Sequence, residues 1–239
     1  MAAILNIETA TQLCSVALAI DGRITSSRET FEEKSHAARL TVFIEEILKV
    51  QGLRIKDIHA IAIGKGPGSY TGLRIGVSTA KGLCYGAGIP LIAVGTLQIM
   101  VTHATGICRE RSIPVSDENM LFCPMIDARR MEVFSSIYKA SGEEIEPVSA
   151  KIIDADTYAG YLQTSKIYFF GSGMEKCREV LSHPNAFFLD EIYPHAAALA
   201  TLAEEKYITG QFENVAYFEP FYLKEFVATV PKKSLHVQQ

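Results

Sequence analysis

The chain has 239 residues, 48% hydrophobic and 21% charged, with a formal net charge of −4. That is the composition of a globular protein with room for one large core or two small ones. It argues against tight RNA binding by this chain alone, and no apolar run approaches the roughly 20 residues of a membrane span. The first eight residues meet an acid early and lack a basic flank, so they read as a strand rather than a signal peptide. Five scattered cysteines without Cys-x-x-Cys spacing fit a reducing cytoplasm.

In chain order, residues 4–7 and 14–20 read as strands, and Asp21-Gly22 as a hairpin turn into a third strand over 23–31. Ser35 is expected to cap a helix to about 50, with Leu40, Phe43, Ile44, Ile47 and Leu48 as its apolar stripe. A buried strand at 60–63 feeds a glycine-rich loop, and Leu73, Val77, Ala80 and Leu83 share one face of the helix after it. Residues 91–94 give a fifth strand, and Thr96 is expected to cap a helix to about 105. The polar stretch 106–119 is the expected boundary between units 1–106 and 107–239.

The same order then recurs. Strands are expected at 121–126, 131–138, 145–152, 166–170 and 186–189, and helices at 154–163, 174–181 and 195–208. Each half reads β-β-β-α-β-α-β-α, which predicts a two-lobed α/β protein with the actin-like ATPase (RNase H-like, sugar-kinase, Hsp70) fold. The aromatic stretch 216–223 is expected to pack back on the body, and the chain to fray from Lys232.

The run from Gly64 to Gly76 allows two readings. It can cradle an anion on backbone N–H groups, or it can set up a docking helix. For the cradle, Glu8 and Thr9 at the end of the first strand and Asp127 at the matching point of the second half would flank a magnesium nucleotide. Gly66, Gly68, Ser69 and Arg74 complete this vestigial nucleotide or anion set. Alternatively, each acid bonds its own turn, or Asp127 pairs with Arg129 or Arg130. For docking, Gly72, Gly76 and Ala80 place small residues four apart, which lets another helix, or the sheet beneath, come close. No phosphate-loop lysine signature, zinc-protease helix or serine elbow is present, the histidines stand apart in sequence, and no metal site is expected.

Several blocks together resemble the bacterial TsaB (YeaZ) family over nearly the whole length. They are Ile7-Glu8-Thr9-Ala10-Thr11, the Gly64–Gly76 run, Val94-Gly95-Thr96-Leu97, Ile126-Asp127-Ala128-Arg129 and Pro220-Phe221-Tyr222-Leu223-Lys224. The resemblance implies a non-catalytic subunit that pairs with a TsaD-type transferase in forming threonylcarbamoyladenosine at position 37 of ANN-decoding tRNAs. It implies a TsaE-type ATPase reached through the complex, only indirect contact with tRNA, no membrane, and a homodimer when the partner is absent. TsaD-type subunits carry an H-x-x-x-H metal site after the fifth strand; here residues 95–103 hold only His103. Family dimers form through the first two helices, which points to Leu40, Phe43, Ile44, Ile47, Gly72, Leu73, Gly76 and Ala80 as the partner interface. No tightly bound cofactor is expected, with ATP or ADP only within the complex. An active ATPase or small-molecule kinase of the same fold, and more remotely a glycoprotease-like peptidase, are the alternative readings.

Overall fold

The computed structural model describes residues 2–32, 35–115, 117 and 119–224, so the fraying expected from Lys232 lies outside the described residues. The first sheet contains β1 (Ala3–Glu8), β2 (Cys14–Ile20), β3 (Arg23–Thr30), β4 (Ala60–Gly64) and β5 (Leu91–Val94), in the order β3-β2-β1-β4-β5. The β1–β2 and β2–β3 pairs are antiparallel, whereas β4 and β5 extend the sheet in parallel. Every residue of β1 is buried, because helices cover both faces. β3 is the edge and reads polar, as an edge strand should.

Helices α1 (His36–Val50) and α2 (Tyr70–Ala87) cover one face of this sheet. Leu40, Phe43, Ile44 and Ile47 pack there with Leu5, Val16, Ile61 and Val77. Ser69 caps α2 by accepting the Gly72 N–H at 3.3 Å, and Gly88 ends it in the left-handed conformation. Ser35 holds the cap position of α1, but its hydroxyl donates to the Glu32 carbonyl at 2.6 Å instead of capping the helix.

The second sheet contains β6 (Met120–Asp127), β7 (Glu132–Lys139), β8 (Glu144–Ile152), β9 (Lys166–Phe170) and β10 (Ala186–Leu189), in the order β10-β9-β6-β7-β8. Read from its own first strand, it repeats the topology of the first sheet, and the protein is a two-lobed α/β molecule of the actin-like fold. Its helices are shorter than expected. Asp154 closes a local turn, accepting from the Thr157 hydroxyl at 2.6 Å and the Asp156 N–H at 3.1 Å, and only Ala159–Leu162 (α4) is helical. The helix expected at 174–181 is a 3-10 turn at Glu175–Cys177. Met174, Cys177 and Leu181 reach the core from irregular turns, with Pro184 soon after.

The last helix of each half packs on the other half's sheet. α3 (Thr96–Glu110) lays Leu97, Met100, Val101, Ala104 and Cys108 against Phe122, Ile126, Phe134 and Tyr138 of the second sheet. It runs past the expected stop near 105 because Ile107 and Cys108 continue its apolar stripe, so position 106/107 lies inside a helix. α5 (Ala196–Ile208) returns to the open face of the first sheet, where Leu199 and Ala203 meet Ile4, Ala62, Ile92 and Val94. Its first N–H, from Ala196, donates to Ser15 Oγ at 2.9 Å. This exchange locks the halves together.

After α5 the chain straps over α2 and the glycine-rich loop. Glu213 N–H donates to the Leu91 carbonyl (2.8 Å), Lys81 Nζ to the Phe218 carbonyl (2.8 Å) and Phe221 N–H to the Lys65 carbonyl (2.7 Å).

The first two helices differ from the sequence expectation in one respect that bears on function. Leu40, Phe43, Ile44, Ile47, Leu73 and Ala80 are all buried in the chain's own core, as are Gly72 and Gly76. They are core residues, not an exposed interface. A stripe of apolar and small residues marks the buried face of a helix without saying what buries it, and here it is the first sheet together with the turn that follows its first strand.

Candidate functional site: two hairpin turns and an outer helix face

The start of the first hairpin turn, Glu8-Thr9-Ala10, is fully buried, while Thr11 and Gln12 at its tip reach the surface. Gly64, Gly68, Gly72 and Gly76 press on it in succession. A Cβ on Gly64 would collide with the Glu8 carboxylate, one on Gly68 with the Ala10 carbonyl, one on Gly72 with the Thr9 carbonyl, and one on Gly76 with Thr9 Oγ1. The four-residue spacing is therefore the footprint of the chain's own turn. Thr9 Oγ1 donates to the Gly72 carbonyl at 2.9 Å, and Ser69 N–H to the Ala10 carbonyl at 2.7 Å, fixing α2 to the turn.

Glu8 Oε1 accepts the Ala10 N–H at 2.6 Å, while Oε2 has no partner. Burial pushes its carboxyl up to about 7, only partly offset by the N–H groups of Ala10 and Thr9. An acid so enclosed cannot reach a magnesium nucleotide.

Several of the loop's donors are also engaged within the chain. The N–H groups of Lys65 and Gly66 go to the Val94 carbonyl (2.8 Å) and Thr96 Oγ1 (3.1 Å). Arg74 donates to the Tyr70 hydroxyl at 3.1 Å and lies over its ring. The Phe221 carbonyl occupies the space next to Gly66. These residues do not fit a magnesium nucleotide held by Glu8 and the glycine-rich loop.

The matching turn of the second sheet is open. Asp127 is exposed, ion-pairs with Lys176, and accepts the Arg129 N–H at 2.9 Å, while its own N–H donates to Ser172 Oγ at 3.2 Å. It bonds its own turn, one of the alternatives set out for it, but its cation is Lys176 rather than Arg129 or Arg130. Gly173 lets this turn approach, since a Cβ there would crowd Val133, Ile126 and Asp127. Among the described residues, no group of three or more His, Cys, Asp or Glu side chains could hold a metal ion.

Two histidines that stand apart in sequence come together. The rings of His103 and His195 lie 4.5 Å apart, edge to face, beside a cavity of about 390 Å³ lined by Phe31, His103, Glu191, Tyr193 and His195. His195 Nδ1 pairs with Glu29 at 2.9 Å, and burial holds His103 below its usual range. Sequence reasoning could not find this pair, because the residues lie 92 positions apart on α3 and before α5.

The outward face of α1 and α2 is a different residue set from the expected one. α1 exposes Ala37, Ala38, Thr41, Val42 and Glu45. α2 exposes Ser78, Gly82 and Gly86 at four-residue spacing, with Tyr85 at 88% exposure beside them. Nothing lies within 4 Å of a Cβ built on Gly82 or Gly86. The signal that could have found them is a second small-residue series displaced around the helix from Gly72 and Gly76.

The chain matches the family model described as "TsaD: tRNA N6-adenosine threonylcarbamoyltransferase" over residues 30–232. It is 32% identical over 234 residues to the tRNA threonylcarbamoyladenosine biosynthesis protein TsaB of Escherichia coli (strain K12), covering 94% of this chain and 96% of that one. It is 29% identical to the protein of the same name from Haemophilus influenzae, covering 94% of each. Among solved structures, YeaZ from Pseudomonas aeruginosa is similar at a TM-score of 0.73 and 28% identity, covering 93% of this chain and 100% of that one.

Proposed function

The chain belongs to the TsaB (YeaZ) family and has a role in tRNA threonylcarbamoyladenosine biosynthesis, and from that premise we propose that it is a non-catalytic docking subunit for a TsaD-type transferase. The observation that carries this reading is the division of α2 into two small-residue faces. The inner face seals the turn where a nucleotide-binding relative would need an accessible acid. The outer face, Ser78, Gly82 and Gly86, has no such use among the described residues. Glycine costs a helix interior about 1 kcal/mol against alanine, so two exposed glycines in α2 need an external reason. A partner helix packed closely on them supplies it.

The interface is accordingly the outer side: Ala38, Thr41 and Val42 on α1, with Ser78, Gly82, Tyr85 and Gly86 on α2. In the absence of the transferase the same face serves a homodimer. A TsaE-type ATPase joins through the complex, and ATP or ADP is held there and not by this chain alone. The protein works in the cytoplasm; no helix among the described residues is long and apolar enough to cross a membrane.

Gel filtration with the TsaD-type partner from the same source tests this. Co-elution at micromolar concentration is expected, and Gly82→Arg is expected to weaken pairing at least tenfold, about 1.4 kcal/mol, while the thermal midpoint stays level or rises, because Arg is the better helix former. Absence of co-elution, or a Gly82→Arg variant that pairs like the parent, overturns it. Calorimetry with magnesium ATP is the second check. Binding tighter than about 10 µM, roughly 7 kcal/mol, would restore the kinase reading.

A further inference from the structure

The β6–β7 hairpin ends in the loop Arg129-Arg130-Met131. It is closed by the Ala128 N–H to the Glu132 carbonyl (3.0 Å) and the Glu132 N–H to the Arg129 carbonyl (3.2 Å). Arg129 and Arg130 have φ of 72° and 52°. They are the only two consecutive non-glycine residues with positive φ among the described residues. That backbone is strained for a long side chain and suits Asn or Gly. Two arginines in succession are a costly way to turn a hairpin, and strain kept in place calls for a use of the side chains.

The side chains are available for one. Both are exposed, and neither makes a hydrogen bond, ion pair or ring contact with a described residue. The acids nearby do not compete for them. Asp127 is taken by Lys176, and Glu132 by Lys224. The base of the hairpin is braced as well, since Lys176 Nζ also donates to the Glu132 carbonyl at 2.7 Å and Ser172 Oγ accepts the Asp127 N–H. The result is a braced stem, neutralised at its base, that carries at its tip two guanidinium groups with no partner among the described residues. Guanidinium groups in that state suit phosphate oxygens.

Given the chain's role in tRNA modification, we propose that the Arg129–Arg130 tip contacts phosphates of the RNA backbone in the assembled complex, a direct contact where the resemblance implies only an indirect one. The net charge of −4 makes this an auxiliary contact that works beside the partner's own RNA surface. The inference rests on the docking reading given above, because it places the tip within that complex.

The test is fluorescence anisotropy of labelled substrate tRNA with the co-purified complex, at several salt concentrations. Arg129→Asn with Arg130→Gly removes both charges and relieves the backbone. It is expected to weaken RNA binding about five- to tenfold and to flatten the slope of log affinity against log salt by about 1.4, two contacts at roughly 0.7 each. The thermal midpoint should stay level or rise, and co-elution with the partner should be unchanged. Arg129→Lys with Arg130→Lys keeps the charge and should retain most of the salt slope.

Unchanged affinity and slope would overturn the proposal. So would loss of co-elution in the Asn/Gly variant, because the tip would then be a protein contact. If the parent chain does not co-elute at all, it is the docking reading that fails. The tip is then tested on the isolated chain at low salt, where an Asn/Gly variant that binds tRNA like the parent again overturns the proposal.

Discussion

Glu8 and Asp127 end the first strands of two sheets with the same strand order, yet one turn is sealed and the other open. The first turn is closed by glycines. Four of them bring the end of β4, the loop and α2 so close that carbonyl, hydroxyl and carboxylate groups fill the space side chains would need. The second turn is held by charge and hydrogen bonds, through Lys176 and Ser172, and leaves its tip in solvent. Equivalent places in a duplicated fold therefore carry different physics. The sealed turn serves stability and the placement of α2, and the open one is left to meet something outside the chain.

The largest effect that separates the two turns is on pH dependence. Glu8 has a folded-state value of about 7 against 4.5 for the free group, so the folded chain holds this proton more tightly. Its contribution to stability is complete below pH 4.5 and is lost as pH rises through 7, a swing of about 3 kcal/mol. Glu8→Gln should abolish that part of the profile in denaturant unfolding followed from pH 4 to 8, and a profile as steep as the parent's would break the comparison.

Next comes the glycine packing. Gly72→Ala drives a methyl at the Thr9 carbonyl, which is backbone and cannot swing aside, so a loss of about 2 kcal/mol is expected. Gly82→Ala meets open space and should gain up to about 1 kcal/mol. Thermal melts of the two variants should move in opposite directions. The smallest effect belongs to the open turn. Asp127→Asn removes an exposed ion pair but keeps an acceptor for the Arg129 N–H, so its cost should stay within about 1 kcal/mol. A larger cost would mean that the open turn bears structural load as the sealed one does.

Much of the strand framework was legible in the sequence because the signals are local. Leu91–Val94 is a continuous apolar run, Cys14–Ile20 is broken only by Ser15, and Asp21-Gly22 is a two-residue turn whose backbone angles are both left-handed. The weaker helices expected in the second half are a four-residue helix and a 3-10 turn. Met174, Cys177 and Leu181 have helical spacing, but a chain confined between Gly173 and Pro184 reached the same buried positions through turns. For the candidate site the sequence marks one face of a helix by its small residues and leaves open what that face meets. Glu8, Gly72 and Gly76 matter as an internal seal, and the exposed Gly82 and Gly86 went unnoticed because the same helix offered a second series of small residues.

The sequence by itself determined the order of elements, the twofold repeat of that order, and the family, because strand runs, turn residues and motif blocks are properties of neighbours along the chain. The tertiary structure decided which face of α2 is spent on the first hairpin turn, which sheet each terminal helix covers, and that His103 meets His195. Those outcomes depend on what lies opposite a residue in space. A period of four residues marks one face of a helix; it carries no record of the surface that face will meet.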